Sequence, residues 1–260
     1  MNTKFDQTIL FLTGLLITIL LLSGCRSSIS QSPVLTTEPS VLSTAQKYIQ
    51  DGQYEQALMV YNQQIQSGKN LDVAYAERGD YYTLTRNFDL ALSDYTTSLG
   101  IKKSAVVLID RCNVYQLLSE YDRAITDCTE AAKLDPMQAD ADIVLSLIYV
   151  DQNQLDQART SINLALQIDP QSAKAYYVLS QIEINSKNLD KAVDDLTKAL
   201  QIDPTNVTYF WQRGFLYLSL AKIDAAKADM NSVLKYGNPN VDGQVMQQAG
   251  SELRALGENP

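Results

Sequence analysis

Hydrophobic and polar positions repeat along most of the chain with a period of about 34 residues. In every copy, a bulky residue and then an acidic residue stand shortly before an alanine. These alanines are Ala57, Ala91, Ala124, Ala158, Ala192 and Ala226, and they lie 34, 33, 34, 34 and 34 residues apart. A second small residue stands twelve places before each alanine, at Ala45, Gly79, Cys112, Ser146, Ser180 and Gly214. Apolar residues around these markers recur at helical spacing, so each copy predicts two amphipathic helices that pack closely where the small residues lie.

Proline marks the end of three predicted second helices, in the steps Asp135-Pro136, Asp169-Pro170 and Asp203-Pro204. Proline cannot continue a helix, and it moves the preceding residue out of the helical conformation. The period, the paired helices and the small residues together resemble the tetratricopeptide repeat. The resemblance implies an all-α fold, a right-handed superhelix (solenoid) of six helix hairpins followed by a C-terminal capping helix. The repeats would cover 38–71, 72–104, 105–138, 139–172, 173–206 and 207–240, and residues 241–260 would form the capping helix and tail.

An apolar run near the N-terminus, Thr8 to Leu22, is followed by the tetrad Leu22-Ser23-Gly24-Cys25. This tetrad resembles the lipobox of bacterial lipoproteins. The resemblance implies that residues 1–24 are a signal peptide, that Cys25 is acylated, and that residues 25–37 are the attachment point and a flexible tether. An uncleaved membrane helix is the first alternative, although the apolar run is shorter than the roughly 20 residues that a span needs. An ordinary signal peptide is the second, and it would not need the cysteine.

Cell location follows from the lipoprotein resemblance. The mature protein would be a membrane protein held by its lipid, with its folded part outside the cytoplasm. Arg26 follows the cysteine, where lipoproteins kept at the inner membrane of enteric-type bacteria carry an aspartate. In a cell with two membranes we therefore expect the outer membrane.

Composition excludes several classes of function. The chain has no histidine, three cysteines and a net charge of −9. Without histidine, neither a Ser-His or Cys-His nucleophile nor a histidine metal site can form, and three scattered cysteines cannot build a tetrahedral zinc site. A nucleic-acid-binding face would need clustered basic residues. We therefore expect no enzyme, no cofactor, no metal and no nucleic-acid partner.

The tetratricopeptide resemblance also implies where a partner would bind. In that family the first helix of each repeat lines a concave groove. Carried onto this sequence, the groove has an acidic half with Glu77, Asp80 and Asp110. Its other half is apolar, with Ile143, Leu147, Tyr177, Trp211 and Phe215. We expect a protein or peptide partner there, with its basic residues toward the acids; in the alternative, Trp211 and Phe215 pack against the capping helix.

Lipobox, tether and repeats together predict a lipid-anchored scaffold that mediates protein–protein interactions at a bacterial envelope membrane. Such a scaffold would help to assemble or localise a membrane complex. The architecture is similar to the pilotin lipoproteins of type IV pilus secretins. Two alternatives stay open, a passive structural solenoid without a ligand and an adaptor for cell-wall enzymes.

Two further patterns concern the packing of the repeats. Arginine precedes the small residue of the first helix in repeats 2, 3 and 6, and an aspartate follows sixteen residues later. The pairs are Arg78 with Asp94, Arg111 with Asp127, and Arg213 with Asp229. We expect ion pairs that join the two helices of a repeat or adjacent repeats. Cys112 and Cys128 occupy the two helices of repeat 3, and because Cys112 faces Ala124 more nearly than Cys128, we expect free buried thiols.

Overall fold

The computed structural model describes residues 41–258, and within them every regular element is an α-helix. The helices are α1 (Val41–Gln50), α2 (Tyr54–Gln66), α3 (Leu71–Leu84), α4 (Phe88–Ile101), α5 (Ala105–Leu117), α6 (Tyr121–Leu134), α7 (Ala139–Asp151), α8 (Leu155–Ile168), α9 (Ala173–Asn185), α10 (Leu189–Ile202), α11 (Val207–Ser219), α12 (Ile223–Tyr236) and α13 (Pro239–Ala255). The all-α prediction is confirmed. Among the described helices, none is both long and apolar enough to cross a membrane. The predicted signal peptide, the tether and Cys25 lie outside the described residues.

The described chain divides into two compact bodies, residues 41–127 and residues 128–258, and the division falls inside α6. We call them the N-terminal body and the C-terminal body. Within each body, consecutive helices pack as pairs around buried apolar side chains. In the N-terminal body one core cluster surrounds Tyr61 and Tyr81, and a second surrounds Tyr95 and Val114.

A three-residue turn joins the two helices of each pair, and the middle residue of every such turn has a positive φ. These residues are Gly52 (72°), Arg86 (62°), Ser119 (59°), Asn153 (57°), Lys187 (62°) and Ala221 (55°). The left-handed region costs an ordinary L-residue roughly 1–2 kcal/mol. At Arg86, Ser119, Lys187 and Ala221 the packing of the two helices therefore imposes the turn geometry, because none of these residues favours the left-handed region.

Small residues lie where the helices of a pair approach each other most closely. The six repeating alanines are all fully buried. A Cβ atom added to Gly79 would stand 2.6 Å from Cε1 of Tyr95, and one added to Gly214 would stand 3.0 Å from Cε of Met230. At Gly79, any larger side chain therefore has to displace a buried tyrosine ring.

Arginine side chains join three helices at once, which confirms the expected ion pairs. Arg78 donates from Nε and Nη2 to the two carboxylate oxygens of Asp94, at 2.7 and 2.8 Å. Its Nη1 also donates to Oδ1 of Asn62, on the second helix of the preceding repeat, at 2.7 Å. One guanidinium thus links both helices of its own repeat to the repeat before it, and we call this arrangement an arginine link.

The same arginine link occurs twice more. Arg111 and Arg213 each make two hydrogen bonds of 2.7–2.8 Å to Asp127 and Asp229. The third hydrogen bond goes to a threonine hydroxyl of the preceding repeat, at 3.1 Å for Thr96 and 3.0 Å for Thr197. Aspartates 94, 127 and 229 are buried, and the two-pronged arginine contact satisfies their charge.

The expectation of free thiols is wrong, because Cys112 and Cys128 are both disulfide-bonded. Sγ of Cys112 lies 3.0 Å from the carbonyl oxygen of Ala124, as the hairpin geometry predicts. Side chains on a helix lean toward its N-terminus, so Cys128 extends toward the level of Ala124, one turn earlier. Sequence spacing alone does not include this lean.

Candidate functional site

Two aromatic side chains of α11 keep part of their surface open to solvent. Asn206 caps the helix, where its Oδ1 accepts a hydrogen bond from the backbone N–H of Tyr209 at 3.2 Å. Trp211 and Phe215 are one turn apart and half-buried. Their rings meet edge to face, with centroids 4.4 Å apart and planes at 74°. The pair forms a rigid, partly exposed apolar surface, of the kind that anchors a bound chain.

The other three apolar residues predicted for the groove are closed to solvent. Ile143 is 2% exposed, Leu147 is 5% and Tyr177 is 0%. This departs from the expectation of an open surface, and packing between neighbouring first helices explains it. The ring of Tyr177 stacks on Tyr209 of α11 at 5.2 Å between centroids. Position within the repeat predicts the face of a helix, but the size of the neighbouring side chains decides whether that face stays open.

The C-terminal body also contains buried glutamine side chains close in sequence to these residues. Gln212, next to Trp211, donates from Nε2 to Oε1 of Gln181 at 3.2 Å. Gln181 donates in turn to the hydroxyl of Ser180 at 3.3 Å. Among the described residues, three buried side-chain atoms make no hydrogen bond, and they are the hydroxyl of Tyr177, Oε1 of Gln212 and Oε1 of Gln248. A buried polar atom without a partner costs about 1–3 kcal/mol. Sequence reasoning missed Gln212 and Gln248, whose only signal was a polar residue on an otherwise apolar helix face.

The three acidic residues of the predicted groove come together in the N-terminal body. Glu77 and Asp80 belong to α3, and Asp110 belongs to α5. The buried hydroxyl of Tyr95, from α4, donates to Oδ1 of Asp80 at 2.7 Å and lies 3.1 Å from the hydroxyl of Thr83. Glu77 accepts a hydrogen bond from Nε2 of Gln46 at 3.5 Å. Sequence reasoning named the acids but missed Tyr95, which also shapes the core.

Loss of hydration and nearby like charges change the pKa values of groups in this cluster. Loss of hydration raises the pKa of Asp80 to about 7; the hydrogen bond from Tyr95 lowers it and the charge of Glu77 raises it. Asp80 is nevertheless an exposed residue, so solvent screens its charge and limits the loss of hydration. Burial, and then the charges of Asp80 and Asp110, raise the pKa of Tyr95 well above its usual value. The cluster can therefore attract a cation, and it changes charge close to neutral pH.

Metal binding has no support in the part of the chain that the structure describes. No group of three or more His, Cys, Asp or Glu side chains there could hold a metal ion.

Family comparisons identify the repeated unit. Residues 118–182 and 173–206 each match a family model of the tetratricopeptide repeat. Residues 118–206 therefore carry tetratricopeptide repeats. No curated protein matches the sequence.

Solved structures agree on the fold. The tetratricopeptide repeat protein TTC0263 of Thermus thermophilus is 19% identical, with a TM-score of 0.64 over 70% of this chain and 99% of its own. PilW, described as a widely conserved type IV pilus biogenesis factor, is 19% identical, with a TM-score of 0.64 over 80% of this chain and 96% of its own. PilF of Pseudomonas aeruginosa is 16% identical, with a TM-score of 0.60 over 82% and 96%. At these identities the likeness shows the fold alone.

Proposed function

We propose that this protein is a lipid-anchored scaffold that binds an extended segment of a protein partner through the C-terminal body. The observation that carries the proposal is the Trp211–Phe215 pair, two large aromatic side chains on a first helix that remain partly exposed to solvent. Rigid aromatic groups of this kind typically supply most of the binding energy of a small interface. Ile143, Leu147 and Tyr177 are buried and so form no part of this open surface.

The acidic cluster of Glu77, Asp80 and Asp110 gives the N-terminal body a preference for basic partner segments. Exposed charges mainly change the association rate and its dependence on salt, whereas buried anchors set the dissociation rate. We therefore propose that the aromatic pair sets the dissociation rate of the partner and that the acidic cluster raises its association rate.

Membrane attachment is the second part of the proposal. Cys25 would carry the lipid after cleavage behind Gly24, and the residues that follow would hold the repeats away from the bilayer. Stable anchoring needs more than one acyl chain, which this modification supplies. Mass spectrometry of the mature N-terminus tests it, with a lipid-bearing Cys25 expected; an intact Met1 or an unmodified Cys25 would refute the anchor.

The biological role would be to assemble or localise a complex in the cell envelope. The lipobox resemblance supports an envelope location, and one protein of similar fold, PilW, is described as a type IV pilus biogenesis factor. We propose an envelope complex as the class of partner.

Binding is tested by selecting peptides from a random displayed library on the wild-type protein and measuring the affinity of the best peptide. Trp211→Ala should weaken that affinity at least about thirtyfold, since loss of a central anchor costs about 2 kcal/mol or more. Tyr236→Ala is the matched control, because this exposed tyrosine lies on the second helix of the same repeat. Equal losses in both variants would refute the aromatic pair as the anchor, and a library that yields no peptide would instead favour the passive solenoid.

A further inference from the structure

The loops that join successive repeats in the N-terminal body are basic. Together with their flanking residues, the two loops cover residues 67–73 and 101–106, where three lysines and one acid occur: Lys69, Lys102, Lys103 and Asp72. Lysines 102 and 103 are the only two bases that are adjacent in the sequence. Three of the corresponding loops in the C-terminal body instead contain no base, and they begin with Asp135, Asp169 and Asp203.

One hydrogen bond shows that the two basic loops lie at the same end of a hairpin. Oγ of Ser98 donates to the backbone carbonyl oxygen of Asp72 at 2.7 Å. Asp72 is in the first turn of α3 and Ser98 is in the last turn of α4, so the loop before α3 and the loop after α4 are neighbours. We call residues 67–73 and 101–106 the loop edge. The turns at the opposite end of the hairpins hold five acids and two bases, within residues 51–55, 86–89 and 119–123.

Exposed aliphatic side chains lie among the lysines of the loop edge. Val106 is 54% exposed, Ile101 is 51% and Val73 is 41%. Lys69 and Lys102 are exposed as well. Basic side chains are attracted to an anionic lipid surface, and apolar side chains beside them can enter the boundary between headgroups and acyl chains. The chemistry of the loop edge therefore fits an anionic bilayer, whereas the acidic turns would be repelled by one.

We propose that the loop edge contacts the membrane that anchors the protein, with its lysines at anionic phospholipid headgroups and its aliphatic side chains in the interface. The inference rests on the proposed membrane attachment, and it adds which face of the N-terminal body turns toward the lipid. Fifteen residues separate Cys25 from Val41, and a chain of that length spans at most about 50 Å. Attachment at Cys25 therefore keeps the N-terminal body within reach of the bilayer, and contact through loops leaves the helices clear of it.

Vesicles that carry the protein through a tag test this contact without the acyl chains. The chain from residue 26 onward keeps every described helix. Because the sequence has no histidine, a hexahistidine tag placed ahead of residue 26 attaches the protein to nickel-chelating lipid at that end alone. The vesicles contain either phosphatidylcholine alone or an equal mixture of phosphatidylcholine and phosphatidylglycerol, with the same share of nickel-chelating lipid.

A polarity-sensitive dye reports which end of the N-terminal body meets the lipid. Ser67→Cys carries the dye at the loop edge, and Gln53→Cys carries it at the opposite turn; both positions are exposed. Cys112 and Cys128 are buried and disulfide-bonded, so they do not take up the dye. On the mixed vesicles, the dye at position 67 should shift to the blue and be quenched by a bilayer quencher. The dye at position 53 should do neither, and on phosphatidylcholine alone both signals should be lost.

Charge reversal gives the magnitude. Lys69→Glu with Lys102→Glu should lower the ratio of docked to undocked protein at least about thirtyfold, which is the loss expected for two lysines close to an anionic membrane. Lys47→Glu with Arg86→Glu is the matched control, because it makes the same change in charge at exposed positions near the opposite end of the same body. Charges farther from the lipid than about 8 Å are largely screened at physiological salt, so the control should bind as the parent does.

The outcomes separate this inference from the proposed function. Equal signals from the two dyes, or a signal at position 67 that is as strong on phosphatidylcholine alone, would overturn the proposal. Absence of contact on the mixed vesicles would also overturn it and leave the loop edge to a protein partner. Because the tag replaces the lipid, none of these results bears on acylation of Cys25, which the mass of the mature N-terminus decides. If Cys25 is unmodified but the tagged protein still docks, the anchor is wrong and the lipid-binding edge stands.

Discussion

Leu179→Arg should create a fourth arginine link. Leu179 stands sixteen residues before Asp195, as Arg78 and Arg213 stand before their aspartates, and Asn163 stands sixteen residues earlier. Asn62 and Thr197 hold the same position in two existing links. Every acceptor that an arginine would need is therefore already present.

The size of the expected change in stability follows from the environment of Asp195. The residue is 6% exposed. Burial raises its pKa; the nearby charge of Lys198 lowers it and that of Glu183 raises it. Lys198 is only a weak partner, at 3.6 Å and half-exposed. Hydrogen bonds to a charged group contribute about 1.5–3 kcal/mol, and removing the half-buried leucine costs about 1 kcal/mol. We expect a net stabilisation of about 1 kcal/mol at pH 7.

The pH dependence provides the sharper test. Because the folded pKa of Asp195 is raised, its ionisation removes stability as pH rises from the ordinary aspartate pKa through the raised value. In Leu179→Arg, where the arginine should lower that pKa, the contribution should reverse and be lost as pH falls. Urea unfolding between pH 4 and pH 8 measures both slopes.

Two controls isolate the pair. Leu179→Lys adds a charge without the two-pronged geometry, and it should gain less. In the background of Asp195→Asn, Leu179→Arg should lose its advantage. An arginine that stabilises equally without the carboxylate, or that destabilises the parent by about 1 kcal/mol or more at pH 7, would refute the reasoning.

Two other predictions concern the turns and the acidic cluster. Ala221→Gly should stabilise the protein by up to about 1 kcal/mol in chemical unfolding, because glycine relieves the strain of the left-handed φ of 55°, although its greater entropy in the unfolded chain offsets part of the gain. Asn153→Gly should gain less, since asparagine tolerates that region. A loss of stability in Ala221→Gly would contradict the strain argument. Asp80 should lower stability as pH rises from about 4 to about 7, because its folded pKa is raised to about 7; unfolding measured across that range should be less dependent on pH in Asp80→Asn, and an unchanged slope would show that Asp80 titrates normally.

Periodicity was sufficient to predict the helices. Small residues such as Gly79 and Ala158 mark close contacts that only one arrangement of two helices satisfies, and the arginine spacing predicted links that the structure contains. Exposure was not predictable in the same way. Tyr177 occupies a groove-lining place, yet it is buried because Tyr209 of the next repeat stacks on it. Such a contact depends on two side chains 32 residues apart, and no periodic rule contains it.

One residue of the acidic cluster could not be predicted from the sequence. Glu77, Asp80 and Asp110 were found from their places in the repeat. Tyr95, which neighbours Asp80 and Asp110, belongs to a second helix and is also part of the core, so nothing in its spacing indicated that its hydroxyl reaches Asp80.

The arginine links show where the chain tolerates a change in length. From arginine to aspartate the interval is sixteen residues in all three links. From the arginine back to its hydrogen-bond partner in the preceding repeat, the interval is sixteen residues for Arg78 and Arg213 but fifteen for Arg111. This interval, shorter by one residue, accounts for the 33-residue spacing between Ala91 and Ala124. The hydrogen bond to Thr96 forms despite the shorter interval. Connections between repeats can thus differ in length while the hairpins keep a fixed count, so whole repeats are the natural unit of duplication.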